Sequence, residues 1–478
     1  MIFTSFNFLI FFPLLLIFYF ITPFRFRWLT LLCASYFFYL NIKPIFALIT
    51  IGVTISTYIF TRLIDNVKDD SQKKRLMVIN IILILLPLFF FKYYSNINNG
   101  IIGLLESFSI RWPLPDIKLF LPIGISFYTF MAIGYTVDVY NEEIEAEKNL
   151  GILALFISFF PLILSGPIER AKNMLPQFRE QKKFDYNVAA QGFKLMLWGY
   201  FLKLVVADRV GIYVDAIYNN IGQHNGTTLL FASLLYPFQV YADLGGYSLI
   251  AIGTAKVLGI NVMFNFNRPF FSTSIAEFWR RWHISLITWL TDYVYTPLAF
   301  HFRTLRIWGI VLALMITFFI SGIWHGANLT FIVWGLMQGF FLSLEALTSN
   351  TKTKIEDKFK LKEKSLYILV SCIITYVIFA SSQILGRATS INDAFTVFRK
   401  IATSSGHLFI GELQQLVYGV LAVGFLIVIE FRQEFFTKNQ DPLKFNKWYF
   451  EHLGYALLVI LILLVGVFDG SQFIYFQF

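Results

Sequence analysis

The chain has 478 residues, of which 57% are hydrophobic, 19% aromatic and only 14% charged, with a mean hydropathy of +0.65. Soluble domains carry about 25% charged residues, so this composition excludes a soluble enzyme and belongs in lipid. The net charge is +10, yet the basic residues lie in short loops between apolar stretches, a pattern that sets orientation in a bilayer and argues against nucleic-acid binding.

Met1 to Asn7 contains no Lys or Arg and no small-residue cleavage site closes the first apolar run, so the N-terminus reads as a spanning helix and not a signal peptide. Apolar runs then recur at approximately 6–23, 28–42, 45–63, 76–94, 119–140, 189–210, 228–258, 306–324, 328–348, 365–385, 412–431 and 452–469. These predict an all-α, polytopic transmembrane bundle of about twelve spans plus re-entrant segments, a single integral-membrane domain over 1–478. Strands of about 10 residues with strict alternation, the mark of a β-barrel, are absent from the sequence. Cys33 and Cys372 both sit in apolar segments and offer neither a disulfide framework nor a Cys-rich metal site.

Three loops concentrate Lys and Arg. They follow Arg62 (Lys68, Lys73, Lys74, Arg75), Ser349 (Lys352, Lys354, Lys358, Lys360, Lys362, Lys364) and Glu430 (Arg432, Lys438, Lys444, Lys447). Counting spans puts all three on one side, which the positive-inside rule makes cytoplasmic and which leaves both termini outside.

Two stretches resist reading as simple spans. Residues 151–167 are apolar but flanked by charges on both sides, which predicts a re-entrant hairpin breaking at Ser165-Gly166-Pro167. Residues 261–295 mix Trp, Arg, His and Asp too densely to face lipid, so they are expected to line a cavity or lie at the interface. The longest outside loops, roughly 95–118, 211–227 and 386–411, are too short to fold alone, so any chemistry belongs among the helices or to a partner.

Ionisable residues at membrane depth are functional candidates by default. His224, His301, His407 and His452 fall in loops or at span ends, whereas His325 stands at the junction of two long apolar runs with Gly322 and Gly326 beside it. A satisfied packing histidine is the alternative there. His283 lies in the cluster Glu277-Phe278-Trp279-Arg280-Arg281-Trp282-His283, followed by Trp289, Asp292, Tyr293 and Tyr295. On a continuous helix Trp279 and His283 share a face. The alternative for this cluster is an interfacial aromatic belt with snorkelling arginines. A metal site on His283, His301 and His325 lacks further ligands at a recognisable spacing, so none is expected.

The runs IAEFWRRWHISLITWLTDYVYTPL and FFISGIWHGANLTFIVWGLMQG resemble the membrane-bound O-acyltransferase (MBOAT) family. So do LILSGPIERAKNMLPQF, GYFLKLVVADRVG and YPFQVYADLGGYSLIAIGTAKVLGINVMFNFNRPF. Together they cover residues 120–345 most closely and match the branch that O-acetylates alginate and peptidoglycan, as does the terminal FIYFQF. The chain departs from that branch at Thr296-Pro297-Leu298-Ala299-Phe300, where a Gly-Gly-Asn-Arg turn is usual.

The resemblance implies an O-acetyltransferase of the bacterial inner membrane, with His325 in the position of the family's catalytic histidine and His283 at its second histidine position. Acetyl-CoA is the implied cytoplasmic donor, with no bound cofactor. Trp279, Arg280, Arg281, Asp292, Trp324 and Asn328 are the expected substrate-binding residues, among which Arg280, Arg281 and Asn328 are candidates to stabilise charge on the carbonyl oxygen. A periplasmic SGNH-type acetyltransferase or carrier and a cell-envelope polysaccharide are the implied partners. The competing classes are a non-catalytic scaffold or a transporter component of an envelope-modification complex. No pair of matching Gly/Pro-broken helices in two halves supports the transporter.

Overall fold

The computed structural model describes residues 1–41, 44–108, 122, 124–437, 441–445 and 447–468. Among them every regular element is helical. Among the described residues seven helices are long and apolar enough to cross a membrane, and Phe6–Ile21 and Leu150–Ile163 are shorter apolar segments. The expected bundle of membrane helices is therefore present, with seven clear spans among the described residues against about twelve read from hydropathy. Part of the difference is length. The runs at 6–23 and 28–42 fold as helices of only 16 and 14 residues, Phe6–Ile21 and Arg27–Leu40, and 189–210 is interrupted by a π-helical stretch, Phe201–Ala207.

The chain divides into two compact units, one of residues 1–193 with 251–263 and the other of residues 194–250 with 264–478. In the first, Pro44–Asn66 and Asp70–Ser107 form a hairpin against Ile125–Tyr140. Asp69 closes its turn by accepting the backbone N–H of Gln72 at 2.9 Å. Hydroxyls on an apolar helix need internal partners. Buried Thr54, Thr57 and Thr61 each donate to the carbonyl four residues back, at 2.7–2.8 Å. Asn80, also buried, accepts from Ser56 at 2.8 Å and donates to Thr136 at 2.9 Å, so one amide ties the three helices together.

The apolar stretch after Asn149 breaks earlier than expected. Helix Leu150–Ser158 ends at Phe159, and a short Phe160–Ile163 turn follows before the chain opens near Gly166. Pro161 explains the early break, since it occupies the first turn of the second piece, and the Phe160 N–H is satisfied by buried Ser35 Oγ at 3.1 Å.

In the second unit, helices Ile307–His325 and Leu329–Lys358 form a tight hairpin joined by residues 326–328. Glycine permits the approach. A Cβ on Gly335 would come within 3.0 Å of the Gly322 Cα, and one on Gly322 within 2.5 Å of the Phe331 carbonyl oxygen. The second helix also carries much of the basic segment expected as a loop after Ser349. At 30 residues it is about 45 Å long against a hydrocarbon thickness of about 30 Å, so its charged last turns project beyond the bilayer. Glu356 anchors that end, paired with Lys362 at 3.2 Å and accepting from Tyr367 at 2.6 Å.

The expected outside loops also contain more helix than loop composition suggests. Asp70–Ser107 runs through residues 95–107, Asp208–Tyr218 occupies the start of 211–227, and Ile391–Thr403 lies within 386–411, capped by Ser390. Residues 109–121, Lys438 and the terminal FIYFQF lie outside the described residues.

Candidate active site

The segment 264–306 belongs to none of the seven spanning helices. It folds as short helices, Ile275–Arg281 and Ile284–Leu290, with a break between them at Trp282 and His283. Trp282 is extended, and His283 adopts φ 45°, ψ 52°, the left-handed region that a non-glycine residue enters at a cost. The helical i, i+4 relation between Trp279 and His283 therefore does not hold. The break lies between them, and they meet instead on the wall of one cavity.

Buried Asn265 fastens the break. Its carbonyl accepts the Ile284 N–H at 2.8 Å, and its side-chain oxygen accepts both the Ser285 hydroxyl at 2.6 Å and the Ser285 N–H at 3.2 Å. The Asn267 N–H donates to the Arg281 carbonyl at 2.9 Å, closing the other side. A buried polar knot thus fixes where the His283 imidazole starts.

The cavity encloses about 570 Å³ of empty space, its open mouth included. His283 and His325 both line it, beside Trp279, Trp282 and Trp334. Tyr236, Val240 and Leu244 come from Gly226–Val257, and Gln383 and Gly386 from Ser365–Arg387. His325 is the last residue of its helix and half-buried, with its ring edge-on to Trp334, centroids 4.8 Å apart. Trp324 is in ring contact with both histidines, at 6.3 Å from His283 and 4.7 Å from His325. His283 is 3% exposed, and burial pushes its imidazole down to about 4, so it is neutral near pH 7.

The remaining expected site residues stand apart from this cavity. Arg281 is held by Glu277 at 2.7 Å and Glu434 at 3.0 Å, while Arg268 takes the other Glu434 oxygen at 2.7 Å. Two cations and two anions make a neutral network that locks the Trp279 helix to the end of Leu413–Arg432 and the short turn after it. Arg280, next to it, is exposed. Asp292 is exposed on a π-helical turn, Thr291–Tyr295, and Asn328 is exposed at the start of Leu329–Lys358. Sequence reading did not anticipate Trp334, Tyr236 or Gln383. Trp334 had one signal, the small residues Gly322, Gly335 and Gly339, which bring its helix against that of His325.

A buried cluster outside the cavity was also missed. Lys203, on the π-helical stretch, hydrogen-bonds Asp208 at 2.6 Å and forms an ion pair with Asp243 at 2.7 Å, all three side chains at most 7% exposed. Gly199 and Gly246 let the two helices touch backbone to backbone there.

The pairing of an imidazole at a helix end with a second, buried imidazole in an aromatic-lined cavity suits acyl transfer to a hydroxyl, which needs a base and a place for a carbonyl. Comparison with known proteins agrees. The model of the MBOAT, membrane-bound O-acyltransferase family, matches residues 148–367, which include the whole His283 segment and His325. A protein of Pseudomonas aeruginosa named probable alginate O-acetylase AlgI is 33% identical over 447 residues, covering 92% of this chain and 82% of that one. The chain belongs to the membrane-bound O-acyltransferase family. It is a multi-pass membrane O-acyltransferase of the branch that includes the alginate and peptidoglycan enzymes. A peptidoglycan O-acetyltransferase of Helicobacter pylori is 30% identical over 79% of this chain and 74% of its own length. A teichoic acid D-alanyltransferase of Streptococcus thermophilus is more distant, 28% identical over 58% of this chain and 71% of its own.

Proposed function

We propose that this O-acyltransferase moves an acetyl group from cytoplasmic acetyl-CoA across the bacterial inner membrane, for O-acetylation of a peptidoglycan or alginate-like envelope polysaccharide. A periplasmic SGNH-type acetyltransferase or carrier completes the transfer, and both termini face the periplasm. The observation that carries this reading is the single cavity shared by His283 and His325.

Its lining favours a small neutral acyl group. A D-alanyl thioester carries an ammonium that needs a carboxylate partner once desolvated, and among the described residues no Asp or Glu lines the cavity. Acetyl needs none. The relatives named for alginate and peptidoglycan also match more of this chain than the teichoic acid enzyme does.

In the reaction, an acceptor hydroxyl attacks the thioester carbonyl and His325 takes its proton. The new C–O bond forms as the carbonyl electrons move to oxygen. Collapse then expels the coenzyme thiolate, which recovers the proton as thiol. His283, neutral and fixed in place by its left-handed backbone, orients groups beside the reacting carbonyl.

The test uses sealed vesicles of defined orientation and labelled acetyl-CoA. Acetyl should leave the donor only when it is supplied to the face bearing Lys358, and polysaccharide should be modified only when a secreted SGNH-type protein is added. Single-cysteine labelling at position 358, in a background lacking Cys33 and Cys372, identifies that face. Labelling from outside intact cells, or robust polymer acetylation by the purified chain alone, overturns the proposed relay.

A further inference from the structure

Cavity walls are expected to leave few polar atoms without a partner, because an unmade hydrogen bond in a dry site is costly. Two such atoms belong to neighbouring tryptophans here. Trp279 and Trp334 are each 5% exposed, both line the cavity, and the indole Nε1–H of each is buried with no acceptor among the described residues. Their rings meet edge to face, centroids 6.0 Å apart at 74°. Trp334 also carries the His325 ring against it at 4.8 Å. An indole nitrogen only donates, so these groups cannot serve as a base, and a protonated or cationic ligand gives them nothing to bond.

We propose that the indole N–H groups of Trp279 and Trp334 are the hydrogen-bond donors for the acyl carbonyl oxygen in this cavity, holding the negative charge that develops on it. The inference rests on the reaction proposed above and assigns a role it leaves open. Of the residues expected to serve there, Arg281 is neutralised by Glu277 and Glu434, and neither Arg280 nor Asn328 lines the cavity.

Preorganised donors in a water-excluded site stabilise an oxyanion without reorganising, which makes neutral N–H groups effective there. They also suit a thioester before reaction, since an uncompensated cation in an apolar cavity costs more to keep than a neutral donor. As the hydroxyl adds to the carbonyl carbon, the oxygen becomes an anion and its bonds to the two indoles shorten and strengthen. When the thiolate leaves, the oxygen returns to a carbonyl and the bonds weaken again. Stabilisation is therefore greatest in the transition state, where it accelerates the reaction. The position of Trp334 also links the two functions, because the ring that donates is the one that sets the orientation of the His325 base.

Trp279→Phe and Trp334→Phe, each in the full-length protein reconstituted with its acceptor system, keep an aromatic ring and delete the N–H. Each should lower kcat about 100-fold to 1,000-fold, the range for losing one oxyanion donor, with the donor KM changed less than about threefold. Thermal midpoints in detergent should stay level or rise, because a buried unpaired donor has been removed. Benzothienylalanine at the same positions, which swaps N–H for sulfur in an otherwise matched ring, should give the same loss of kcat. Activity within threefold of wild type for both benzothienyl proteins overturns the assignment, as does their failure to fold, which would make the N–H groups structural. A parallel His325→Ala control separates the two ideas: if it is inactive while the indole variants are not, only the donor assignment fails, and if it stays active, the base assignment fails first.

Discussion

The imidazole of His325 stands edge-on to the indole of Trp334, with ring centroids 4.8 Å apart and planes at 80°. The contact spans a helix hairpin closed by Gly322 and Gly335, so a neighbouring helix holds the ring alongside Trp324 of its own helix. Truncating it should not disturb that scaffold. His325→Ala is expected to keep a wild-type thermal midpoint and monodispersity while acyl transfer falls about 10²-fold to 10⁴-fold, the usual loss for a general base. His283→Ala should cost less activity. Retention of more than about a tenth of the wild-type rate by His325→Ala would make that residue structural and move the search for a base to His283.

His283 predicts a pH dependence of stability. Its buried imidazole has a pKa of about 4 against 6.5 when exposed, so the folded state binds fewer protons than the unfolded one between those values. Stability is then complete above pH 6.5, falls as pH drops through 6.5, and levels off below 4, a total loss of about 3 kcal/mol from this group. His283→Asn removes the titration and keeps a residue tolerant of left-handed backbone. Its thermal midpoint, measured across pH 7 to 4, should fall less steeply than that of the wild type. Parallel curves for the two proteins would show that His283 reaches water in the folded state.

How much of this was legible in sequence varies with range. Helices such as Ile307–His325 announce themselves because an apolar run of that length has few alternatives, and the FISGIWHG segment placed His325 at a helix end correctly. The Trp279–His283 cluster was visible as an anomaly, but its geometry was not. Periodicity cannot show that the helix stops at Arg281, since the stop is imposed by Asn265, 18 residues upstream of His283. The partners of Arg281 are split in the same way. Glu277 is one turn away and readable, whereas Glu434 is 153 residues distant and is not. Trp334 belongs to the second kind, because its approach to His325 depends on a hairpin crossing that glycine spacing hints at without fixing a register.

That network changes what Arg280 and Arg281 are expected to do. Arg280→Gln alone should raise the donor KM with kcat little changed, if its exposed guanidinium meets the donor's phosphates. Arg281→Gln should instead lower the thermal midpoint, at a cost of roughly 1–3 kcal/mol, since it leaves Glu277 and Glu434 short of a cation in a mostly buried position. An unchanged KM in Arg280→Gln removes that residue from the donor site. A raised KM in Arg281→Gln with no loss of stability would show that the network opens to bind the donor.

Lys203 gives the sharpest test of how the second unit is held. Its ammonium lies between Asp208, five residues on along the same helical run, and Asp243 on Gly226–Val257, with all three side chains buried. The π-helical stretch Phe201–Ala207 carries this Lys, and Gly199 and Gly246 bring the two helices close enough for its bonds to be short. Removing only the cation strands two carboxylates, so Lys203→Met should destabilise by about 3–5 kcal/mol. Neutralising all three positions (Lys203→Met, Asp208→Asn, Asp243→Asn) should recover much of that loss, because uncharged side chains no longer need the pairing. Thermal midpoints in detergent measure both effects, and acyl transfer measured beside them separates structure from chemistry. A Lys203→Met protein as stable as wild type would mean that water already reaches the triad. Loss of transfer in the neutralised triple variant at restored stability would mean that the charges themselves take part in the reaction.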